Sequence, residues 1–326
     1  MSDSPHEILK ERFHRFLHRR KDDGKVVDEI ARQFRSRGWT VFAFGGTPRG
    51  VYDSRKTYTP RDLDLVFEDD HFESFESAYS KNILRKNNFG GIKLQIQHVV
   101  IDAWPLSATW AFRNGYVKNP SWNNLPATTF LNLDGIIIEF APQVLKNRVI
   151  YESNFFSGWN SKTLEINLVQ NPFPAVCVAR TLTISRNFGF LISAGLAFYL
   201  YEILNKIAFS SIEGAQRKHY GQVKFEFKEL RQIGRKIEKY LSGNITKPLA
   251  LFPPRLSQPD LFESVKQLPL LDYTNIPLVT KSSKKCLDSN SGESFIANLA
   301  QTGFEFMDGG SKNPVTNKRL RPADLK

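Results

Sequence analysis

Two short stretches, FGGTPRG at residues 44–50 and RDLDL at residues 61–65, carry the strongest signal in this sequence of 326 residues. The segment that leads into the first stretch is rich in β-branched and aromatic side chains, which predicts a strand ending in a tight turn at Gly45 and Gly46. Two glycines at such a point let the backbone approach a ligand, and their N–H groups can bind phosphate oxygens. Arg49 could add a charge-assisted hydrogen bond to the same phosphates.

The second stretch opens a predicted strand over 63–67 with an Asp-x-Asp pair. Alternate residues of a strand face the same side, so the carboxylates of Asp62 and Asp64 should converge. Mg²⁺ relieves the repulsion between such carboxylates, because it prefers oxygen ligands together with substrate phosphates. Asp102 ends the apolar run at 99–101, and a neighbouring strand could bring it to the same place. There it would be a third ligand of a two-ion site, or the base that takes a proton from an attacking hydroxyl.

The order of these features resembles the nucleotidyltransferase superfamily of DNA polymerase beta. Within it, the likeness is to the head domain of the class II CCA-adding enzyme and bacterial poly(A) polymerase, where a Gly-Gly-x-x-Arg turn precedes an Asp-x-Asp pair. The matching residues are Gly45, Gly46, Arg49, Asp62 and Asp64. The resemblance implies a small mixed sheet with helices on one side and two catalytic Mg²⁺ ions. It also implies transfer of a nucleoside monophosphate from an NTP to a hydroxyl.

A second stretch, residues 164–190, is similar to the neck of that family. In the family, a helix that begins with a proline carries several arginines and ends at an aromatic residue or leucine, which Gly-Phe follows. Here FGF at residues 188–190 matches that close, and Arg180 stands where an arginine is expected. The resemblance covers residues 25–200, and it implies that Arg180 helps to bind the nucleotide.

Three features depart from the family pattern. Gly50 stands where the family normally has Asp, and the block at residues 126–134 carries threonines where paired arginines are usual. The neck helix has Cys177 and Thr183 at candidate arginine positions. These departures put in doubt the choice of base by an arginine–acid template, and with it ordinary CCA addition.

The distribution of strand and helix patterns predicts an α+β protein, in which a mixed-sheet nucleotidyltransferase head precedes an all-helical neck and body. Strand and helix patterns mix up to about residue 150, helical periodicity follows, and the tail is rich in Ser, Asn, Gly and Lys. The expected parts are an N-terminal basic helix (1–24), the head domain (25–150), the helical neck and RNA-binding body (151–245) and a partly flexible C-terminal extension (246–326).

The charge balance favours a polyanionic partner. The chain has 45 Lys and Arg against 33 Asp and Glu, and residues 205–240 alone have nine basic and four acidic side chains. Aromatic residues interleave with those basic ones, as suits backbone tracking combined with base stacking. We therefore expect RNA with a tRNA-like 3′ end as the acceptor, beside the NTP.

Composition excludes several other classes of protein. A hydrophobic fraction of 41% excludes global disorder, and two cysteines exclude a disulfide framework and a zinc site built from four thiolates. The polar start and the lack of a run of 18 apolar residues predict a cytoplasmic protein with no membrane partner. The sequence does not indicate an oligomeric state.

Three functional hypotheses stay open at this point. The first is a template-independent nucleotidyltransferase that acts on a tRNA-like 3′ end. The second is the same chemistry on a protein, a small molecule or another nucleotide, in a toxin or defence system, and the altered selection block motivates it. The third is a catalytically inactive relative that only binds RNA or a partner, which the missing arginines allow, although the intact Asp62 and Asp64 argue against it.

Overall fold

The computed structural model of the chain describes residues 4–18, 22–53, 61–144 and 147–253. Most of the C-terminal extension expected at 246–326 therefore lies outside the described residues. Within the described parts of the chain, no helix combines the length and the hydrophobicity that crossing a lipid bilayer requires.

A mixed sheet of seven strands forms the first part of the fold. Its strands are β1 (Val41–Phe44), β2 (Leu63–Phe67), β3 (Ile83–Lys86), β4 (Ile92–Ile96), β5 (Val99–Pro105), β6 (Ile136–Glu139) and β7 (Ile150–Glu152). The spatial order is β3-β4-β5-β2-β1-β6-β7. β2 and β5 run parallel, and every other neighbouring pair is antiparallel. With the helices that follow, this sheet confirms the predicted α+β class.

Three helices cover one face of the sheet, and the opposite face, which carries the site, also packs a part of the hydrophobic core around Val66. The three helices are α1 (Pro5–Leu17), α2 (Asp22–Ser36) and α4 (Asp69–Ala78). Phe34 of α2 contacts both Phe67 of β2 and Phe75 of α4, with ring centroids 5.6 Å apart in each case. Because strand residues alternate between faces, the position of Phe67 directs Asp64 to the opposite face, together with Val66.

The chain does not make a simple tight turn after β1, as the sequence analysis expected. Helix α3 (Gly46–Tyr52) begins at once, and Gly45 is its N-cap with φ of 59°. That positive φ favours glycine, because a Cβ atom would be strained there. The N–H of Gly45 donates to the carbonyl of Ile136 over 3.1 Å, so this group is engaged within the protein and does not point at a phosphate.

The second part of the described chain is mainly helical. Its helices are α6 (Phe155–Asn160), α7 (Pro174–Phe188), α8 (Ala194–Lys206), α9 (Phe209–Tyr220) and α10 (Phe227–Leu241), while the short α5 (Trp110–Arg113) lies in the first part, between β5 and β6. A short parallel pair, β8 (Thr163–Leu164) and β9 (Leu191–Ile192), brackets α7. Gly189 ends α7 in the left-handed conformation, with φ of 70°, and Phe190 behind it is buried. The predicted body is thus helical apart from this small β pair.

Hydrogen bonds of the Asn132 side chain connect the turn before β6 with β8 and the residue after it. Its buried amide donates to the carbonyl of Thr163 over 3.0 Å, and its oxygen accepts the N–H of Glu165 over 3.1 Å. We expect Asn132→Ala to lower the free energy of unfolding by about 3 kcal/mol, because buried backbone groups lose their partners. Urea denaturation measures this change. The control Asn114→Ala, at an exposed helix end, should change it by less than about 1 kcal/mol, and equal losses in both variants would contradict the assignment.

Candidate active site

Three carboxylates that the sequence predicts as catalytic lie together on the sheet face opposite α1, α2 and α4. β2 and β5 pair in parallel with Asp64 directly opposite Asp102, and Asp62 precedes Asp64 by one strand period. Burial, together with the negative charges of Asp62 and Asp102, raises the pKa of Asp64 to about 7. The structure therefore brings Asp62, Asp64 and Asp102 close enough for their charges to interact.

Two cations from outside the predicted set compensate these acids. Lys93 of β4 stands opposite Asp102, and its Nζ lies 2.6 Å from Asp102 Oδ2 and 3.9 Å from Asp62 Oδ2. Arg61 Nη2 lies 2.9 Å from Asp62 Oδ2. Sequence reasoning missed Lys93, although a lysine inside the apolar alternation of a strand next to an acid-bearing strand was a usable signal.

The oxygen atoms of these three carboxylates can be compared with the ligands that a magnesium ion prefers. The three carboxylates offer the negatively charged oxygen ligands that Mg²⁺ prefers. The middle carboxylate, that of Asp64, has a strongly raised pKa. Among the residues that the structure describes, however, no three His, Cys, Asp or Glu side chains form a ready-made metal cage. The three carboxylates would therefore need water and substrate phosphates to complete the coordination of an ion, and ligation by Asp62, Asp64 and Asp102 stays a prediction.

The two arginines predicted to bind the nucleotide both contact one buried carboxylate, Asp134. Arg180 Nε and Nη2 lie 2.6 and 2.8 Å from the two oxygens of Asp134, and Arg49 Nη1 binds one of those oxygens as well. Burial alone would raise the pKa of Asp134, but the charges of Arg180 and Arg49 outweigh it and lower that pKa. Asp134 thus joins α3, which carries Arg49, to α7, which carries Arg180.

Sequence reasoning had Asp134 inside the divergent block at 126–134 but gave it no role. The available signal was an acid just before an apolar strand in a chain with two arginines awaiting a partner. Phosphate binding by Arg49 and Arg180 stays a prediction, since in this structure their guanidinium groups are directed to Asp134.

A pocket of about 400 Å³ opens beside these residues. Gly45, Gly46 and Asp64 line it together with the Asp134–Arg180 pair. This volume lies within the range of sites that hold small organic ligands and cofactors. The predicted glycines and one predicted catalytic acid therefore share a single cavity.

Most of the pocket wall is apolar. The rings and aliphatic groups that contribute most are those of Phe44, Phe89, Trp104, Trp110, Phe130 and Phe173. Trp104 is held in orientation by a hydrogen bond of 3.0 Å from its Nε1 to Thr109 Oγ1. Burial raises the pKa of the Cys177 thiol to about 12, so this side chain is a neutral part of the wall. Such a lining suits the flat faces of a nucleobase.

The end of α9 lies beside the catalytic acids. Arg61 Nη1 donates to the carbonyl of His219 over 2.7 Å, while the same guanidinium binds Asp62. Burial lowers the pKa of His219, and the nearby charges of Arg180 and Arg61 lower it further, so its imidazole is neutral at pH 7. An acceptor that reaches the carboxylates would therefore pass the last turn of α9.

Comparison with known proteins gives a result at the level of structure only. No known protein family matches the sequence, and no curated protein matches it at a significant level. A CCA-adding enzyme in complex with CTP superimposes with a TM-score of 0.51 at 13% identity, over 73% of this chain and 56% of the other. A Thermotoga maritima CCA-adding enzyme complexed with tRNA gives 0.50 at 14% identity, over 72% of this chain and 55% of the other.

The chain thus spans a little over half the length of the solved structures that it matches. At such low identity the likeness establishes the fold. It agrees with the resemblance that the Gly-Gly-x-x-Arg and Asp-x-Asp stretches indicate on independent grounds. The chain therefore has the fold of the CCA-adding nucleotidyltransferases.

Proposed function

We propose that this chain transfers a nucleoside monophosphate from an NTP to the 3′ hydroxyl of an RNA such as tRNA. The observation that carries the proposal is the pairing of Asp64 with Asp102 on adjacent parallel strands, at the edge of a nucleotide-sized pocket. The fold likeness supports it, since one of the similar proteins is complexed with tRNA and another with CTP.

Asp62 and Asp64 would hold Mg²⁺ in this reaction, with Asp102 as a further ligand or as the base. The ion supplies neutralisation of the charge that develops on the phosphates. Asp64 extends into the pocket, where the α-phosphate of a bound NTP would lie. Lys93 holds the carboxylate of Asp102 through their contact of 2.6 Å and so fixes its direction.

The chemical step then needs little beyond positioning and charge. The hydroxyl oxygen of the acceptor forms a bond to the α-phosphorus, and its proton passes to the carboxylate of Asp102. The bond between the α-phosphorus and the oxygen bridging to the β-phosphate breaks, and pyrophosphate leaves with that electron pair. The backbone of Gly46, which lines the pocket, would lie against the leaving phosphates.

An exposed basic face on α10 supports RNA as the acceptor. Leu230, Ile233 and Ile237 are buried on one side of this helix. Lys228, Arg231 and Arg235 are exposed, and helical spacing aligns them on the other side. The guanidinium of Arg231 lies 5.5 Å from the centroid of the half-exposed ring of Phe227. This pairing of cations with an accessible ring suits a single-stranded polyanion.

Neutralising that face should weaken RNA binding. We expect the triple change of Lys228, Arg231 and Arg235 to Gln to reduce affinity for tRNA at least about tenfold near 0.1 M salt. It should also reduce the slope of log affinity against log salt by about two. Filter binding at several salt concentrations measures both quantities.

The matched control removes the same charge from exposed sites elsewhere, namely Arg32, Lys81 and Lys118. Its slope should stay near the parental value. If both triples reduce the slope equally, RNA is attracted by net charge alone, and the assignment to α10 is wrong.

A transfer assay tests the proposed function directly. Purified protein is incubated with Mg²⁺ and each labelled NTP in turn, with total tRNA or with no acceptor. Label on tRNA is the expected result. Label on protein or on a small oligonucleotide would instead support the non-RNA acceptor that the altered selection block suggests. Bound tRNA without any transfer would overturn the enzyme proposal and support an inactive RNA-binding relative.

A further inference from the structure

The two ends of the pocket differ in chemistry. Arg180, Asp64 and the Gly45–Gly46 pair lie at one end. Phe173 is two turns of α7 away from Arg180, which corresponds to about 10 Å along a helix axis. There its ring meets Phe89 of the β3–β4 hairpin edge to face, with centroids 6.4 Å apart. A nucleotide whose phosphates occupy the glycine end would therefore direct its base towards these two rings.

Two asparagines stand beside those rings with their amide oxygens already used. Asn87 Oδ1 accepts the N–H groups of Phe89 and Gly91, each over 2.9 Å. Asn171 Oδ1 accepts the N–H of Phe173 over 2.8 Å. The reverse orientation of either amide would face its NH₂ group against N–H donors, so the hydrogen bonds fix both orientations. Both lone pairs of Asn87 Oδ1 are thus in use, and the NH₂ group of each asparagine is the donor that it offers to a ligand.

The three threonines that line the pocket have their hydroxyl groups engaged within the protein, and Thr109 Oγ1 accepts from Trp104 Nε1 over 3.0 Å. Thr128 Oγ1 donates to the carbonyl of Leu125 over 2.7 Å, and Thr129 Oγ1 lies 3.0 Å from two backbone carbonyls. Phe130, the next residue, contacts Tyr199, whose hydroxyl bonds Cys177 less than one turn from Arg180. Asn87 and Asn171, whose side chains would contact the outer edge of a bound base, thus present hydrogen-bond donors to it.

We infer that the pocket selects nucleobases that carry an exocyclic carbonyl where competing bases carry an amino group, as uracil does relative to cytosine. The inference rests on the proposed function, because it specifies the NTP of the same site. A carbonyl oxygen accepts from the NH₂ group of Asn87 or Asn171. An exocyclic amino group at the same position would face these donors and gain no hydrogen bond from them, at an end of the pocket where Phe89 and Phe173 are partly exposed.

Matched nucleotide pairs test this preference on the unmodified chain. UTP is compared with CTP, and ITP with ATP, because the members of each pair differ only in one exocyclic group, carbonyl against amino, and in the proton on the adjacent ring nitrogen. Dissociation constants are measured with Mg²⁺ by titration calorimetry. We expect the carbonyl member of each pair to bind about three- to tenfold more tightly, since one net hydrogen bond is worth about that factor.

Exchanging the donors for acceptors should change the preference. In Asn87→Asp and Asn171→Asp, one carboxylate oxygen keeps the backbone hydrogen bonds and the other replaces the NH₂ group. The added charge weakens every NTP alike, so the ratio within each pair is the readout. We expect both ratios to fall at least about tenfold, towards CTP and ATP. Asn123→Asp, at an exposed position, should leave the ratios unchanged.

The possible outcomes separate this inference from the proposed function. Equal affinities within both pairs, or tighter binding of CTP and ATP by the unmodified chain, overturn the base preference while leaving nucleotide binding intact. If no NTP binds at all, the proposed function itself fails. The ratio of dissociation constants within each nucleotide pair, measured on the unmodified chain, tests the base preference even if an Asp variant does not fold.

Discussion

Asp64→Asn is expected to reduce nucleotidyl transfer by at least about a thousandfold while leaving the fold intact. Asp64 is the carboxylate that lines the pocket and pairs across the sheet with Asp102. An amide in its place removes one of the charges that would hold a divalent cation against the α-phosphate, and such charges act mainly in the transition state. Incorporation of labelled nucleotide into tRNA, at saturating NTP and Mg²⁺, measures the loss.

The same substitution should not destabilise the protein. Burial and two neighbouring acids raise the pKa of Asp64 to about 7, against 3.8 for a free aspartate. The folded state therefore holds a proton that the unfolded state has lost between about pH 4 and pH 7, so this group makes stability fall as pH rises through that window. Asn cannot ionise. The variant should lose this slope and be at least as stable as the parent at pH 8.

Two readouts together make the test decisive. Thermal unfolding at pH 5 and at pH 8 should show a smaller difference in Tm for Asp64→Asn than for the parent. The control Asp70→Asn changes an exposed acid in the first turn of α4 and should keep full transfer activity. Transfer at the parental rate by Asp64→Asn would show that the carboxylates are not the catalytic centre.

The sequence was sufficient for those features that depend on local pattern. The alternation of Leu63, Asp64 and Leu65 predicted a strand with one buried and one functional face, and β2 has the predicted bounds. The acid that ends the run at 99–101 was expected on a neighbouring strand, and the parallel register sets it opposite Asp64. Period-two patterns carry this information because a strand sends alternate side chains to opposite faces.

Features that depend on contacts between distant segments were not predictable in the same way. Lys93 reaches Asp102 only because the β3–β4 hairpin folds onto β5. Asp134 meets Arg180 across 46 residues of chain, and nothing in either local segment specifies the partner. The helix that begins at Gly46 was missed, because the sequence before it gives the signal of a turn. Such pairings come from tertiary packing, which periodicity does not report.

The Asp134 cluster explains why the arginines of the two signature stretches are found together. Arg49 follows the Gly-Gly pair on α3, and Arg180 lies near the middle of α7. Both side chains are mostly buried, and a buried guanidinium needs a charged partner. Asp134 therefore fixes α7 against the glycine end of the pocket, and the geometry of that end depends on it.

Asp134→Asn is expected to lower the free energy of unfolding by about 3 kcal/mol, the loss typical when one partner of a buried ion pair is removed. Two guanidinium groups would then share one neutral oxygen, and the new NH₂ group would oppose them. For a chain of this size the Tm should fall by about 6 to 12 °C. Urea denaturation and thermal unfolding at pH 7 measure the two quantities, and Glu29→Gln, which breaks an exposed pair with Arg32, should change stability by less than about 1 kcal/mol.

The dependence of this loss on pH identifies its cause. Because the pKa of Asp134 is lowered in the folded state, its stabilising effect is complete above the unfolded value of 3.8. It is lost as the pH falls through the lower, folded value. The difference in stability between the parent and Asp134→Asn should therefore be constant above about pH 5 and shrink on further acidification. A difference that stays constant down to pH 2 would mean that the shape of the side chain, and not its charge, holds Arg49 and Arg180 in place.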